Sequence, residues 1–258
     1  AQANGPKQPL GRLRTMRRLR ASVAPCLRSV RGFAAASRPA PIAMPALGQV
    51  PKTTEGAVRL YDQWATTYDE TLRSWDYPAP ARVAGLLKEY WDSEMPPALP
   101  VLDAGCGTGL SGEGLQAAGF TRLAGIDVSE ASLDICRAKG VYELLAPCDL
   151  SCASGPLDFQ DGSFSGVISV GVLSYVSNFR GLFPELCRVT APGGLVVFTH
   201  RFELWDEDVD RVRSVATELE GSGAWKQLLV SDLDDYMPRN PDPEESVKRI
   251  RYIVYKVA

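Results

Sequence analysis

The stretch Asp103-Ala-Gly-Cys-Gly-Thr-Gly109 combines one acid with three evenly spaced glycines. Glycines at such positions let the chain turn tightly and let its backbone approach a ligand closely. The apolar run Val101-Leu102 precedes the stretch and a helical pattern, Leu110–Ala118, follows it. The loop therefore joins a strand to a helix whose first N–H groups point toward the same crevice. A second acid, Asp127, ends the next strand run, Arg122–Ile126, 18 residues beyond Gly109. A carboxylate there can accept hydrogen bonds from both hydroxyls of a ribose. Each acid also has a plainer use, Asp103 as a turn cap and Asp127 as a cap of the helix that follows.

Residues of other chemistries are sparse. The one histidine is His200, at the end of a strand run in Phe198-Thr-His-Arg201. It is either a general base or a structural histidine. Arg201 beside it can hold a carboxylate of a substrate, and Tyr175 follows another strand on the same edge. No Ser/His/Asp arrangement, C-x-x-C pair or metal cluster is present. The six cysteines, Cys148 and Cys152 among them, read as reduced thiols.

These residues need a scaffold, and the hydrophobic pattern supplies one. Helices are expected over 55–74 and 81–92, the first carrying Tyr61, Trp64 and Tyr68 on adjacent turns. Strand runs at Val101-Leu102, Arg122–Ile126, Tyr142–Leu145, Phe164–Val170 and Leu195–Thr199 alternate with helices at Leu110–Ala118, 130–138, Asn178–Val189 and Glu203–Leu219. Ser129 is the expected N-cap of the 130–138 helix and Gly140 its end. Trp225–Leu229 and Tyr252–Val257 close the chain as strands. Such alternation builds a mostly parallel sheet covered on both faces. Ligands of such sheets sit beyond the carboxyl ends of the strands, near the switch point of the strand order.

Charge is distributed unevenly. Residues 1–54 hold ten Lys or Arg and no acid, whereas the rest carries 18 basic and 31 acidic residues. A domain that acidic argues against nucleic-acid binding and suits a small-molecule partner. No run is apolar enough to cross a membrane as a helix. Residues 1–51 read as a disordered basic arm and linker, with 52–258 as the domain. The arm is Arg-rich and acid-free, the pattern of an organelle transit peptide, and Arg31-Gly-Phe-Ala34 suits a mitochondrial processing site. A plastid arm, or a basic tail on a cytoplasmic protein, are the alternatives.

D-x-G-x-G-x-G differs from the G-x-G-x-x-G of nicotinamide-binding folds and resembles motif I of class I S-adenosylmethionine-dependent methyltransferases. Cys148-Asp-Leu150 after the third strand and Pro192-Gly-Gly194 before the fifth are similar to two further family features. Leu60-Tyr-Asp-Gln-Trp-Ala-Thr-Thr-Tyr-Asp69, Gly171-Val-Leu-Ser174, Glu185–Gly194 and Gly223-Ala-Trp225 resemble the methyltransferase-like family named after the Williams–Beuren syndrome region. The resemblance runs from about Leu60 to the C-terminus and leaves the arm outside.

It implies a Rossmann-like, seven-stranded α/β sheet, mostly parallel with an antiparallel last strand, under an N-terminal helical lid. It implies S-adenosylmethionine as cofactor and S-adenosylhomocysteine as product. Asp103, Gly105, Cys106, Gly107 and Gly109 would lie along the methionine part, and Asp127 with Val128 at the ribose. Asp149 would take the adenine amino group, Leu150 would pack on the ring, and Tyr68 and Val170 would complete the cofactor contacts. Asp149 is otherwise a solvated loop acid. Trp64, Tyr175 and Arg201 are the expected substrate contacts, with Trp64 alternatively packing the lid down. His200 and Tyr175 are the catalytic candidates, and no metal is expected. The expected activity is methyl transfer to a small molecule by a monomer or homodimer. The alternative is an organellar assembly factor that binds the cofactor without turnover.

Overall fold

Five short apolar strands begin the sheet: β1 (Val101–Ala104), β2 (Leu123–Asp127), β3 (Leu144–Pro147), β4 (Phe164–Ser169) and β5 (Thr190–Arg201). A computed structural model describes residues 54–91, 99–151 and 156–258, so the expected basic arm over 1–51 lies outside the described residues. β6 (Trp225–Val230), the two-residue β7 (Asp234–Asp235) and β8 (Arg249–Val257) complete the sheet. Its order is β3-β2-β1-β4-β5-β8-β6, with β7 paired to β8. β1 to β5 run parallel, and β8 lies antiparallel between β5 and β6. The chain moves outward from β1 to β2 and β3, then returns to β4 on the other side. The switch point is thus between β1 and β4, where the glycine loop emerges.

The helices are α1 (Thr54–Ser74), α2 (Ala79–Glu89), α3 (Leu110–Ala118), α4 (Glu130–Lys139), α5 (Phe179–Val189), α6 (Phe202–Asp206), α7 (Val212–Gly221) and α8 (Pro243–Ser246). They cover both faces. Leu102, Val167, Phe183, Phe198 and Val215 fill one core, while Val83, Leu87, Val101, Ile168 and Val197 fill the other. The alternation along β1 assigns Leu102 to the first core and Val101 to the second, the period-2 signature of a strand. Ser129 caps α4 by accepting the Ser132 N–H at 3.1 Å, and Gly140 ends that helix in the left-handed region.

Four elements differ from expectation. β3 begins at Leu144 because Tyr142 turns inward to donate its hydroxyl hydrogen bond to Asp103 at 2.6 Å. Pro192-Gly-Gly194 lies inside β5, in a register break where Phe164 pairs with Thr190 and Gly166 with Leu195. The helix expected over 203–219 is two helices, since Asp208, Asp210 and Arg211 all take positive φ between them. Asp208 then caps α7, accepting the N–H groups of Arg213 and Ser214 at 2.8 and 2.9 Å. Finally, β7 and α8 occupy a stretch that carries no periodic signal long enough to read.

Candidate cofactor and acceptor site

The carboxyl ends of β1, β2, β3 and β4 meet around two joined cavities. The larger, about 840 Å³ and partly open to solvent, lies beneath α1. The smaller, about 450 Å³, lies toward β3. Gly105, Asp127, Val128, Val172 and Tyr175 line both, so they mark the junction.

The glycine loop runs along this junction. Gly105, Gly107 and Gly109 have φ of +82°, +51° and +94°, a region where a side chain is strained. At Gly105 the need is also steric: a Cβ there would come within 2.4 Å of the Val172 side chain. Gly109 sits behind the cavity, at the N-cap of α3, facing Cys136 and Tyr142. Cys106 lines the larger cavity, and its thiol is pushed up first by its hydrogen bond with Cys136 and then by burial.

The two acids of the signature have separate surroundings. Asp103 does not line either cavity. It is fully buried, and its Oδ2 accepts from Ser111 at 2.5 Å and Tyr142 at 2.6 Å. Burial pushes its carboxyl up to about 6, although both hydrogen bonds oppose this. Asp103 thereby anchors the first turn of α3 beneath the loop. Asp127 stands at the junction. Its Oδ2 accepts the Gly107 N–H at 2.8 Å and its Oδ1 the Ser129 N–H at 2.9 Å. Burial raises its pKa too, against the pull of these amides.

The smaller cavity contains Cys148, Asp149, Leu150 and Ser151. Asp149 accepts from the Ser151 N–H and hydroxyl, both at 2.8 Å. Val128 is 39% exposed at the shared rim.

The larger cavity is roofed by α1. Val58, Tyr61, Ala65, Tyr68 and Leu72 face it at alternating spacings of three and four, one stripe of the helix. The helix is pinned to the loops at three points. Asp62 accepts from the Ser129 hydroxyl at 2.5 Å, and Asp69 accepts from the Thr108 hydroxyl at 2.5 Å. Asp69 also pairs with Lys139 of α4. At the cavity's far wall, the Tyr61 hydroxyl donates to the Tyr175 hydroxyl at 3.0 Å, joining α1 to the turn after β4.

Tyr68, Val170 and Tyr175 line this cavity as expected from their positions, whereas Trp64, His200 and Arg201 line neither. Trp64 is 4% exposed and flanks the cavity stripe, its ring 4.6 Å from that of Tyr68 in a cluster with Leu72, Trp75 and Met237. His200 is buried against Phe179 and Trp205. Burial lowers its pKa to about 4, which keeps the ring neutral. Arg201 is held by Glu203 through two guanidinium nitrogens. Sequence reasoning placed Tyr61 on the lid yet left it out of the site, and it missed Tyr77 and Val172. The i, i+7 relation of Tyr61 to Tyr68 was the available signal for the first; nothing local points to the other two.

Glycine backbone, the Asp127 carboxylate and Asp149 follow one another along the joined cavities. A family model described as a methyltransferase domain matches residues 102–198. The human methyltransferase-like protein 27 is 34% identical over 178 residues, covering 69% of this chain and 71% of the relative. Demethylmenaquinone methyltransferase of Tropheryma whipplei is 35% identical over 103 residues, 39% of this chain and 42% of that protein. In fold, the chain is similar to a solved S-adenosylmethionine-dependent methyltransferase of Thermotoga maritima. There the TM-score is 0.52 at 14% identity, over 78% of this chain and 98% of the other. The chain therefore belongs to the class I S-adenosylmethionine-dependent methyltransferases, together with methyltransferase-like protein 27, and is an enzyme of that class.

Proposed function

We propose that the enzyme methylates a small molecule seated beneath α1, with the cofactor lying across both cavities. The observation that carries this reading is the junction itself: Asp127, Val172 and Tyr175 line both cavities, so a ligand bridging them passes one carboxylate midway. S-adenosylmethionine supplies an electrophilic methyl group on a sulfonium.

In this reading Gly105, Cys106 and Gly107 receive the methionine part, Asp127 takes the ribose hydroxyls, and Asp149 with Leu150 holds the adenine. Val128 covers the rim, and Tyr68 and Val170 close on the methionine side. Tyr175 faces the acceptor. The roof of α1 excludes water and holds the acceptor in line, which can supply much of the rate of a displacement. A small acceptor is supported by the enclosure of the site and by the demethylmenaquinone methyltransferase among the relatives. The basic residues 1–51 act, in the same proposal, as a mitochondrial targeting arm, which imaging of a fluorescent fusion checks.

Calorimetric titration of the full chain with S-adenosylmethionine, S-adenosylhomocysteine and NAD tests the site. Micromolar binding of the two sulfur ligands and none of NAD is expected. Asp127→Ala removes an acceptor of charge-assisted bonds and should weaken both by at least about tenfold. Unchanged affinity would remove Asp127 from the ribose.

A further inference from the structure

The wall of the larger cavity has an unusual chemical balance. Among the described residues that line it, Asp127 is the only charged side chain, while Tyr61, Tyr68, Tyr77 and Tyr175 all contribute to it. Arg201 is paired with Glu203, and Lys139 with Asp69 and Glu113. A general base is missing from the same set. His200 is buried away from the cavity, and both Asp127 oxygens already accept backbone N–H groups.

We propose that the acceptor is an uncharged amine, methylated on nitrogen without proton transfer, its product cation held among Tyr61, Tyr68, Tyr77 and Tyr175. The inference rests on the methyl-transfer reading above and deepens it to a substrate class.

The charge balance argues for it. The bound sulfonium is a positive charge beside the acceptor, which repels a protonated amine but admits a neutral one. The nitrogen lone pair forms the new N–CH3 bond, and the S–CH3 bond breaks with its electron pair left on sulfur. The positive charge passes from sulfur to nitrogen, so the net charge of the cavity is the same before and after. Phenol rings and hydroxyl oxygens offer electron density to such a charge at either position. An alcohol, phenol or carbon acid would instead release a proton with no base among the described lining residues to take it. A carboxylate or phosphate would be seated beside Asp127 with no basic side chain among the described lining residues. The tyrosines do not serve as that base, since burial raises the pKa of all four; at Tyr175 the bond from Tyr61 and the nearby Arg201 only partly offset it.

Binding separates this proposal from the one it rests on. The full chain, alone and saturated with S-adenosylhomocysteine, is titrated with trimethylphenylammonium and with benzoate while its tyrosine and tryptophan fluorescence is followed. The expected result is quaternary ammonium binding at least about tenfold tighter than benzoate, weakened roughly fivefold by Tyr61→Leu and by Tyr175→Leu. Equal or preferred benzoate binding, or no weakening in either variant, overturns the amine assignment. S-adenosylmethionine binding in calorimetry stands or falls independently of that result. Turnover adds a second arm: with two amines of different pKa, the pH–rate inflection should move with the amine. An inflection fixed at one pH for both would reveal an enzyme base and overturn the proposal.

Discussion

On the β1–β3 side of the cleft the site is made of backbone and strand-end acids; on the α1 side it is made of phenol rings. Gly105, Gly107 and Asp127 lie within 23 residues of one another and act through main chain and one carboxylate. Tyr61 and Tyr175 are 114 residues apart and meet only because α1 lies over the turn after β4. The cradle is constrained by backbone: both glycines hold a positive φ, and at Gly105 an added atom would also meet Val172. A wall of side chains from separate elements can change its occupant by changing a few rings. In the proposed reading the first half receives the cofactor and the second the acceptor, a division that substitutions test.

The largest effect is expected at the cradle. Gly105→Ala places a methyl group 2.4 Å from Val172 and forces a positive φ on a side chain. Strain and overpacking together should weaken S-adenosylhomocysteine binding by about a hundredfold in calorimetry. Adding Val172→Ala should recover part of that loss, because only the steric portion is relieved. Full recovery would show that the backbone conformation contributes nothing.

Asp103 and His200, both buried, should pull stability in opposite directions. Asp103, on the cradle side, titrates near 6 in the folded chain against an ordinary value of 3.8. Its folded form binds the proton more tightly, so its contribution is lost as pH rises from about 4 to about 6. His200, on the opposite core, titrates near 4 against an ordinary 6.5. Its contribution is full above 6.5 and is lost as pH falls toward 4. Each is worth up to about 3 kcal/mol. Urea midpoints across pH 4–7 should therefore lose the high-pH decline in Asp103→Asn and the low-pH decline in His200→Phe. If each variant keeps its parent's slope, neither burial controls the profile.

The smallest effect is expected at the latch. Asp69→Asn weakens the ties of α1 to Thr108 and Lys139. The Lys139 and Asp69 side chains are each 18% exposed, so solvent partly screens their pair, whereas Thr108 is buried. Dissociation of S-adenosylhomocysteine in stopped flow should quicken by about fivefold to tenfold, with cradle contacts intact. An unchanged rate would mean that the ligand does not pass beneath α1.

Much of the fold could be read from local pattern. The parallel strands, the N-cap Ser129 and the terminating Gly140 are short-range features, and they appear close to where the spacing places them. Pro192-Gly-Gly194 has a turn composition that is equally compatible with a bulge within a long strand, as found in β5. The 203–219 region has the periodicity of one helix because side-chain spacing carries no trace of the positive φ values at Asp208, Asp210 and Arg211.

Local pattern is enough for the glycine cradle, the strand-end acid Asp127 and the alternation that brings them to one edge. These depend on backbone conformation and on neighbours a few residues away. Long-range packing is needed for Asp103 to anchor α3 from behind the cavity, for His200 to be buried away from it, for Trp64 to pack against Tyr68 instead of lining it, and for Tyr61 to reach Tyr175. Those outcomes depend on which side of a packed element a side chain faces. That is decided by the summed burial of distant residues, which no local spacing records.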